Sequence, residues 1–124
     1  MGADIILYPT AIGSEPILDV DSQGHWMRTM QGHSAANIIP VAAANRVGEE
    51  KVEPCDENGG QKSSLVFYGS SFLTDETGDV LVKASRDREE IIYAEYDFDD
   101  NRKKRASWGL FRDRRPECYK QIVQ

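Results

Sequence analysis

The sequence predicts a mixed α/β domain. Three observations carry that reading: a short β-type apolar run at the very start, an amphipathic stretch with helical spacing directly after it, and a series of short strand-like runs separated by turn residues.

Taken in order, Asp4 to Tyr8 (DIILY) reads as a strand stopped by Pro9. Asp19 to Ser22 then supplies capping residues before Trp26, Met30, His33 and Asn37, which recur at helical spacing, with Met27 and Ala35 or Ala36 widening the face; a helix is predicted over 22–36. Asn37 to Val47 (NIIPVAAANRV) is short-side-chained and apolar, which suits a strand covered on both faces, with Pro40 marking a bulge or an edge. Residues 48–63 turn to Glu, Lys, Asn, Gly and Gln and read as an exposed loop of 16 residues.

Ser64 to Phe72, the turn Thr74 to Gly78 and Asp79 to Ala84 read as a hairpin, with Gly78 supplying the positive φ. Glu90 to Phe98 (EIIYAEYDF) alternates after its first apolar pair and predicts another strand. Asp99 to Trp108 begins acidic and ends basic, the charge order that complements a helix dipole, and Gly109 stands where that helix should stop.

Composition bounds the function. The 124 residues are 40% apolar and 29% charged, with 15 Lys and Arg against 21 Asp and Glu for a net charge of −6, which fits at most one globular domain. The longest uncharged apolar stretch, around Ala35 to Asn45, is interrupted by Pro40 and falls short of the roughly 20 residues of a membrane helix, so no spanning segment is expected. The start, Met1-Gly2-Ala3-Asp4, lacks the basic and apolar regions of a secretory signal, and a cytoplasmic location is expected. Its abruptness also predicts a chain that begins inside a domain.

Candidate chemistry is sparse. Cys55 lies among Glu53, Asp56 and Glu57, where negative neighbours disfavour a thiolate; Cys118 follows Arg114 and Arg115 in a more electropositive setting but near the chain end. Both read as free thiols with packing roles. His25 and His33 are eight residues apart, whereas two histidines sharing one metal ion on a helix come at i and i+3 or i+4, so no metal site is expected. Seven Lys or Arg against three Asp between Asp99 and Arg115 give that segment +4 and leave −10 elsewhere. This is either a nucleic-acid patch or a helix face with local Asp–Arg pairs, and the overall acidity favours the second. The most informative local stretch is Tyr8 to Pro16 (YPTAIGSEP), a strand end that breaks into small and polar residues, the place where α/β folds form pockets. Glu15 there is either a solvated loop carboxylate or a carboxylate offered to a cationic ligand.

Five segments in register, YPTAIGSEP, HWMRTMQGHSAAN, ANRVG, YGSSF and SWGLFRDRRPECY, together resemble the carbon–nitrogen hydrolase (nitrilase) superfamily, and within it the amidases that act on N-carbamoylputrescine. The resemblance runs over nearly the whole chain, with residues 49–63 the least similar part. It implies the C-terminal half of a four-layer αββα sandwich, one partial domain over residues 1–124, acting as a homo-oligomer without nucleic-acid or membrane partners. The implied reaction is hydrolysis of N-carbamoylputrescine to putrescine, carbon dioxide and ammonia, a step of polyamine biosynthesis, with no metal or organic cofactor.

The resemblance further implies a Glu base, an oxyanion-stabilising Lys and a Cys nucleophile. All three belong to sequence ahead of the segment matched by Gly2 to Tyr8, so their positions fall before residue 1, and no catalytic residue is assigned within the chain. Glu15 matches the carboxylate of the GSEP motif, which the resemblance places against the distal ammonium of the substrate. Thr10, Ala11 and Ile12 match positions lining the pocket nearby. The chain alone is therefore expected to be inactive; the alternative is a non-catalytic interaction or regulatory protein that associates with a full-length carbon–nitrogen hydrolase.

Overall fold

In the computed structural model, which describes residues 2–119, two β-sheets meet at a shared edge and a long helix covers the first. The first sheet has the order β1-β3-β6-β7, built from β1 (Ile6–Thr10), β3 (Val41–Asn45), β6 (Phe72–Thr74) and β7 (Val80–Lys83). The second is antiparallel, β2-β5-β4, from β2 (Gly13–Ser14), β5 (Ser63–Tyr68) and β4 (Val47–Val52). Helix α1 (Gln23–Asn37) links β2 to β3, α2 (Phe98–Trp108) follows the sheets, and a single turn, α3 (Pro116–Tyr119), closes the described chain.

Strand β1 pairs in parallel with β3 over five positions, from Ile6 opposite Val41 to Thr10 opposite Asn45. It begins two residues later than the sequence suggests and runs through Pro9 instead of stopping there. A proline fits because β1 borders the described sheet on one side, so one flank needs no N–H donor. Strand β3 is internal, between β1 and β6. Pro40 therefore marks neither a bulge nor an edge: it sits just ahead of the strand, where its carbonyl accepts from Ile6 N–H at 2.9 Å.

Helix α1 turns Trp26, Met30 and Ser34 inward, residues four apart on one stripe. Trp26 meets Phe72 edge to face, with ring centroids 5.5 Å apart, and these two join Met30, Val41 and Ala43 in the core, flanked by Ile6, Tyr8, Ile12 and Met27. His33 and Asn37, expected on the buried face, lie outside it, as do Ala35 and Ala36. Ser34 takes the place of His33. It can be buried because its hydroxyl lies 2.8 Å from the Ile39 carbonyl and 2.7 Å from that of Asp75, and accepts from Thr74 Oγ1, which itself accepts from Val41 N–H at 3.0 Å. A pattern reader ranks serine below histidine as a core residue, but only the smaller group fits under β6.

Three further expectations are corrected. Residues 48–63 are not one long loop: β4 pairs with β5 over six positions, from Val47 opposite Tyr68 to Val52 opposite Ser63. Both faces of β4 are largely exposed, so its Glu49-Glu50-Lys51 carries no apolar alternation, and charged residues are what an exposed edge strand favours. Ser64 to Phe72 is not one strand either. Gly69 and Ser70, both left-handed with φ of 53° and 55°, break it into β5 and β6 and send the two pieces into different sheets. The hairpin is thus β6–β7, and its turn is as expected, with Gly78 at φ 90° and the Asp75 carboxylate accepting from Thr77 and Asp79 N–H. Finally, Ile91 to Asp97 alternates in exposure like a strand but belongs to neither sheet, because no strand among the described residues pairs with it to complete a ladder.

Helix α2 follows the sequence closely. The Asp97 side chain caps it by accepting from Asp100 N–H at 2.8 Å, and Gly109 ends it at φ 67°. Its cations are used locally: Arg102 pairs with Asp4 at 2.7 Å and Asp99 at 2.8 Å, and Lys104 with Glu76 at 2.7 Å and Asp100 at 3.0 Å. Asn101 donates to the carbonyl of Ile38, so the helix is tied to the left-handed end of α1.

Two consequences are measurable. A Cβ on Gly13 would collide with the backbone carbonyl of Val66 on β5, so Gly13→Ala should cost about 1–3 kcal/mol, read as a lowered Tm, with surface Gly2→Ala as the neutral control. The Arg102 hydrogen bond holds the Asp4 carboxyl below its ordinary 3.8. Its stabilisation is therefore present at neutral pH and lost as pH falls through the lowered folded value. The Tm gap between wild type and Asp4→Asn should be widest near neutrality and close below that pH.

Candidate functional site

The stretch that leaves β1 crosses from the first sheet to the second in four residues. Thr10 is the last residue of β1; its hydroxyl lies 3.0 Å from the Ala44 carbonyl and 3.1 Å from Asn45 Oδ1. Ala11 is exposed, whereas Ile12 turns its side chain to the core. Gly13 and Ser14 pair with Phe67 and Val66 as β2. Glu15 then stands in extended conformation (φ −74°, ψ 123°) ahead of a single 3₁₀ turn, Pro16–Leu18, whose Leu18 N–H bonds to the Glu15 carbonyl at 3.0 Å. Pro16 needs no partner for an N–H it does not have, which makes it suited to the first position of that turn.

Glu15 faces an open groove of about 650 Å³ between this turn and the β4–β5 hairpin. Opposite it are Lys51, Lys62, Ser63 and Ser64, with Ile17 and Val52 supplying apolar wall. Among the described residues Glu15 makes no ion pair, so its carboxylate is available to a cation. Thr10, Ala11 and Ile12 do not line this groove. The structure thus separates the four predicted residues: Glu15 in the groove, Thr10 and Ile12 engaged behind it, and Ala11 exposed between them. Lys51, Lys62 and Ser63 escaped the sequence reading because they lie in the polar stretch taken for a loop, Ser64 because it was read only as the start of a strand, and the β4–β5 pairing brings them into one groove with residue 15.

A second junction supports the groove from behind. The Tyr68 hydroxyl accepts from Ser22 N–H at 2.9 Å and lies 3.1 Å from Ser22 Oγ. Burial pushes this phenol up, but the hydrogen bonds of Ser22 outweigh it and leave it below its usual range. Arg86 lies over the same ring at 5.0 Å and pairs with Asp21 at 2.8 Å. The start of α1 is thereby held by β5.

Neither thiol has the setting of a nucleophile. Cys55 is exposed at the tip of the β4–β5 hairpin, and Cys118 is exposed in α3. The Glu57 carboxylate is kept below its usual range by its own backbone N–H first and the Cys55 thiol second, a contact in which the sulfur is a donor. His33 stacks on Tyr8, ring centroids 6.0 Å apart, and shares a short hydrogen bond with its hydroxyl; His25 is exposed. Among the described residues no three His, Cys, Asp or Glu side chains gather closely enough to hold a metal ion, and no helix is long and apolar enough to cross a membrane.

Residues 1–106 match the Carbon-nitrogen hydrolase family, and the chain belongs to it. It is 52% identical over 124 residues to a citrullinase of Francisella tularensis, covering 99% of this chain and 41% of that protein. It is 47% identical over 123 residues to an N-carbamoylputrescine amidase of Arabidopsis thaliana, covering 98% of this chain and 40% of that one. A solved carbon–nitrogen hydrolase from Helicobacter pylori G27 superposes with a TM-score of 0.81 at 37% identity, over 99% of this chain and 42% of the other. The chain therefore spans about two fifths of the length of the relatives it matches.

Because the groove depends on the β4–β5 hairpin staying paired, Val66→Pro, which removes a ladder N–H opposite Ser14 and Glu49, should open it. The expected outcome is rapid amide exchange along residues 47–52 with the amides of α2 still protected, measured by NMR on the 124-residue chain.

Proposed function

We propose that this chain is the substrate-recognition portion of a carbon–nitrogen hydrolase that cleaves a linear carbamoyl amine, N-carbamoylputrescine, to putrescine, carbon dioxide and ammonia. The observation that carries the reading is Glu15, a carboxylate without an ion pair among the described residues, set by a proline turn on the lining of a groove of about 650 Å³. An alkyl ammonium about 4 Å from such a carboxylate gains on the order of 4 kcal/mol at the effective dielectric of a protein surface, before the cost of desolvation. Neither exposed thiol lines the groove that holds Glu15, and this reading assigns the nucleophile to protein outside these 124 residues, in keeping with the share of the relatives that the chain spans. Association with further copies and action in the cytoplasm belong to the same reading.

One observation favours a second substrate. Lys51 and Lys62 share the groove with Glu15, and the 52% identical relative is named a citrullinase. Citrulline carries the same ureido group as N-carbamoylputrescine, with a carboxylate added beside the ammonium. Opposed carboxylate and ammonium side chains on the two walls suit that zwitterionic end.

The tests use the full-length hydrolase that contains these residues. Glu15→Gln should raise KM for N-carbamoylputrescine about tenfold or more and leave a neutral carbamoyl amine nearly unaffected; equal effects on both would remove Glu15 from the site. Lys51→Ala with Lys62→Ala should raise KM for citrulline alone if the zwitterion is the substrate, and should change neither KM if it is not. The 124-residue chain by itself should release no ammonia from either compound.

A further inference from the structure

We propose that Asn45 is the positioning residue of the Thr10–Glu15 loop, and that its carboxamide sets where the Glu15 carboxylate points. Asn45 ends β3 at the point where the β1–β3 ladder stops and the chain after Thr10 leaves for the second sheet. Between there and Gly13, where pairing with β5 begins, β5 reaches the loop backbone through Tyr68 N–H, which donates to the Ile12 carbonyl at 3.1 Å. The Asn45 side chain adds the further contacts. Its Oδ1 accepts from Ile12 N–H at 2.8 Å and lies 3.1 Å from the Thr10 hydroxyl; its Nδ2 donates to the Ile12 carbonyl at 3.1 Å and to the Gly69 carbonyl at 3.0 Å.

Both amide hydrogens and both oxygen lone-pair directions are thus engaged, the full capacity of an asparagine. The bonds to Ile12 imitate one rung of an antiparallel ladder, and the bond to Gly69 locks that rung to the left-handed break between β5 and β6. Glu15 follows three residues after Ile12, held in between only by the two-residue strand β2. No other residue type reproduces this set. Aspartate keeps the two acceptor contacts but sets a negative charge against the carbonyls of Ile12 and Gly69, serine is too short to span them, and alanine takes the side-chain partner from Ile12 N–H and from the Gly69 carbonyl.

The inference rests on the assignment of Glu15 to the cationic tail of the substrate, and the experiment separates the two. In the full-length hydrolase, Asn45→Asp should raise KM for N-carbamoylputrescine about tenfold with kcat changed by less than about threefold, and Glu15→Gln added to it should bring little further loss. A residue that only stabilises the fold would lower the Tm and the fraction of active enzyme, leave KM alone, and add its effect to that of Glu15→Gln. If Glu15→Gln has no effect on catalysis, the reading of Glu15 fails, and Asn45 is then judged on the 124-residue chain itself. There Asn45→Asp should shift and deprotect the amides of Ile12 to Glu15 while those of α2 keep wild-type positions. Asn45→Ser is measured alongside in case the added charge unfolds the chain. Unchanged amides from Ile12 to Glu15, or an unchanged KM in an enzyme whose Glu15→Gln variant is impaired, would overturn the proposal.

Discussion

The architecture depends on a break of two residues. Gly69 and Ser70 both adopt left-handed backbone, and a Cβ on Gly69 would meet the carbonyl of Arg86. Only a glycine fits the first position, and the second is held by Ser70 N–H to the Ser85 carbonyl at 2.9 Å and by Ser70 Oγ, which donates to the Tyr68 carbonyl and accepts from Gln23. A non-glycine left-handed residue costs on the order of 1 kcal/mol, and here buried hydrogen bonds offset it. Because the chain bends at this point, β5 can edge the groove while β6 lies under α1.

The same junction explains why the groove and the core are not independent. Asn45 reaches from β3 to Ile12 and Gly69, the Tyr68 hydroxyl holds the start of α1 through Ser22, and Phe72, two residues past the break, packs on Trp26. Groove-facing and core-facing residues therefore alternate along a few short segments. The core near Phe72 and the loop that carries Glu15 share hydrogen-bonded neighbours, and such bonds tolerate displacements of only a few tenths of an ångström.

How much of this was legible depends on what kind of information each element uses. Helix α1 and helix α2 announce themselves through local signals: the spacing of Trp26 and Met30, the acidic start and basic finish between Asp99 and Trp108, and Gly109 at the stop. The β6–β7 turn is equally local, since Asp75 and Gly78 satisfy it within five residues. Strand β4 was not legible, because its charged residues face solvent on both sides and its strand signal is the pairing with β5, from Val47 opposite Tyr68 to Val52 opposite Ser63. Residues 90–97 failed the other way: their alternation is real, but a strand also needs a neighbour.

For the site, Glu15 was readable from the residues around it, since a carboxylate between Gly13-Ser14 and Pro16 at a strand end is held in a turn by local chemistry. Asn45, Lys51 and Lys62 were not, because an amide or an ammonium acquires a role only from what stands across from it. The sequence by itself determined the helices and the turns, which rest on interactions within a few residues, and the family, which rests on motifs spread along the chain. Tertiary structure alone decided which strands share a sheet, which side chains face the groove and which amide holds the loop, because contacts such as that of Asn45 with Gly69, 24 positions on, follow from close packing that no local pattern encodes.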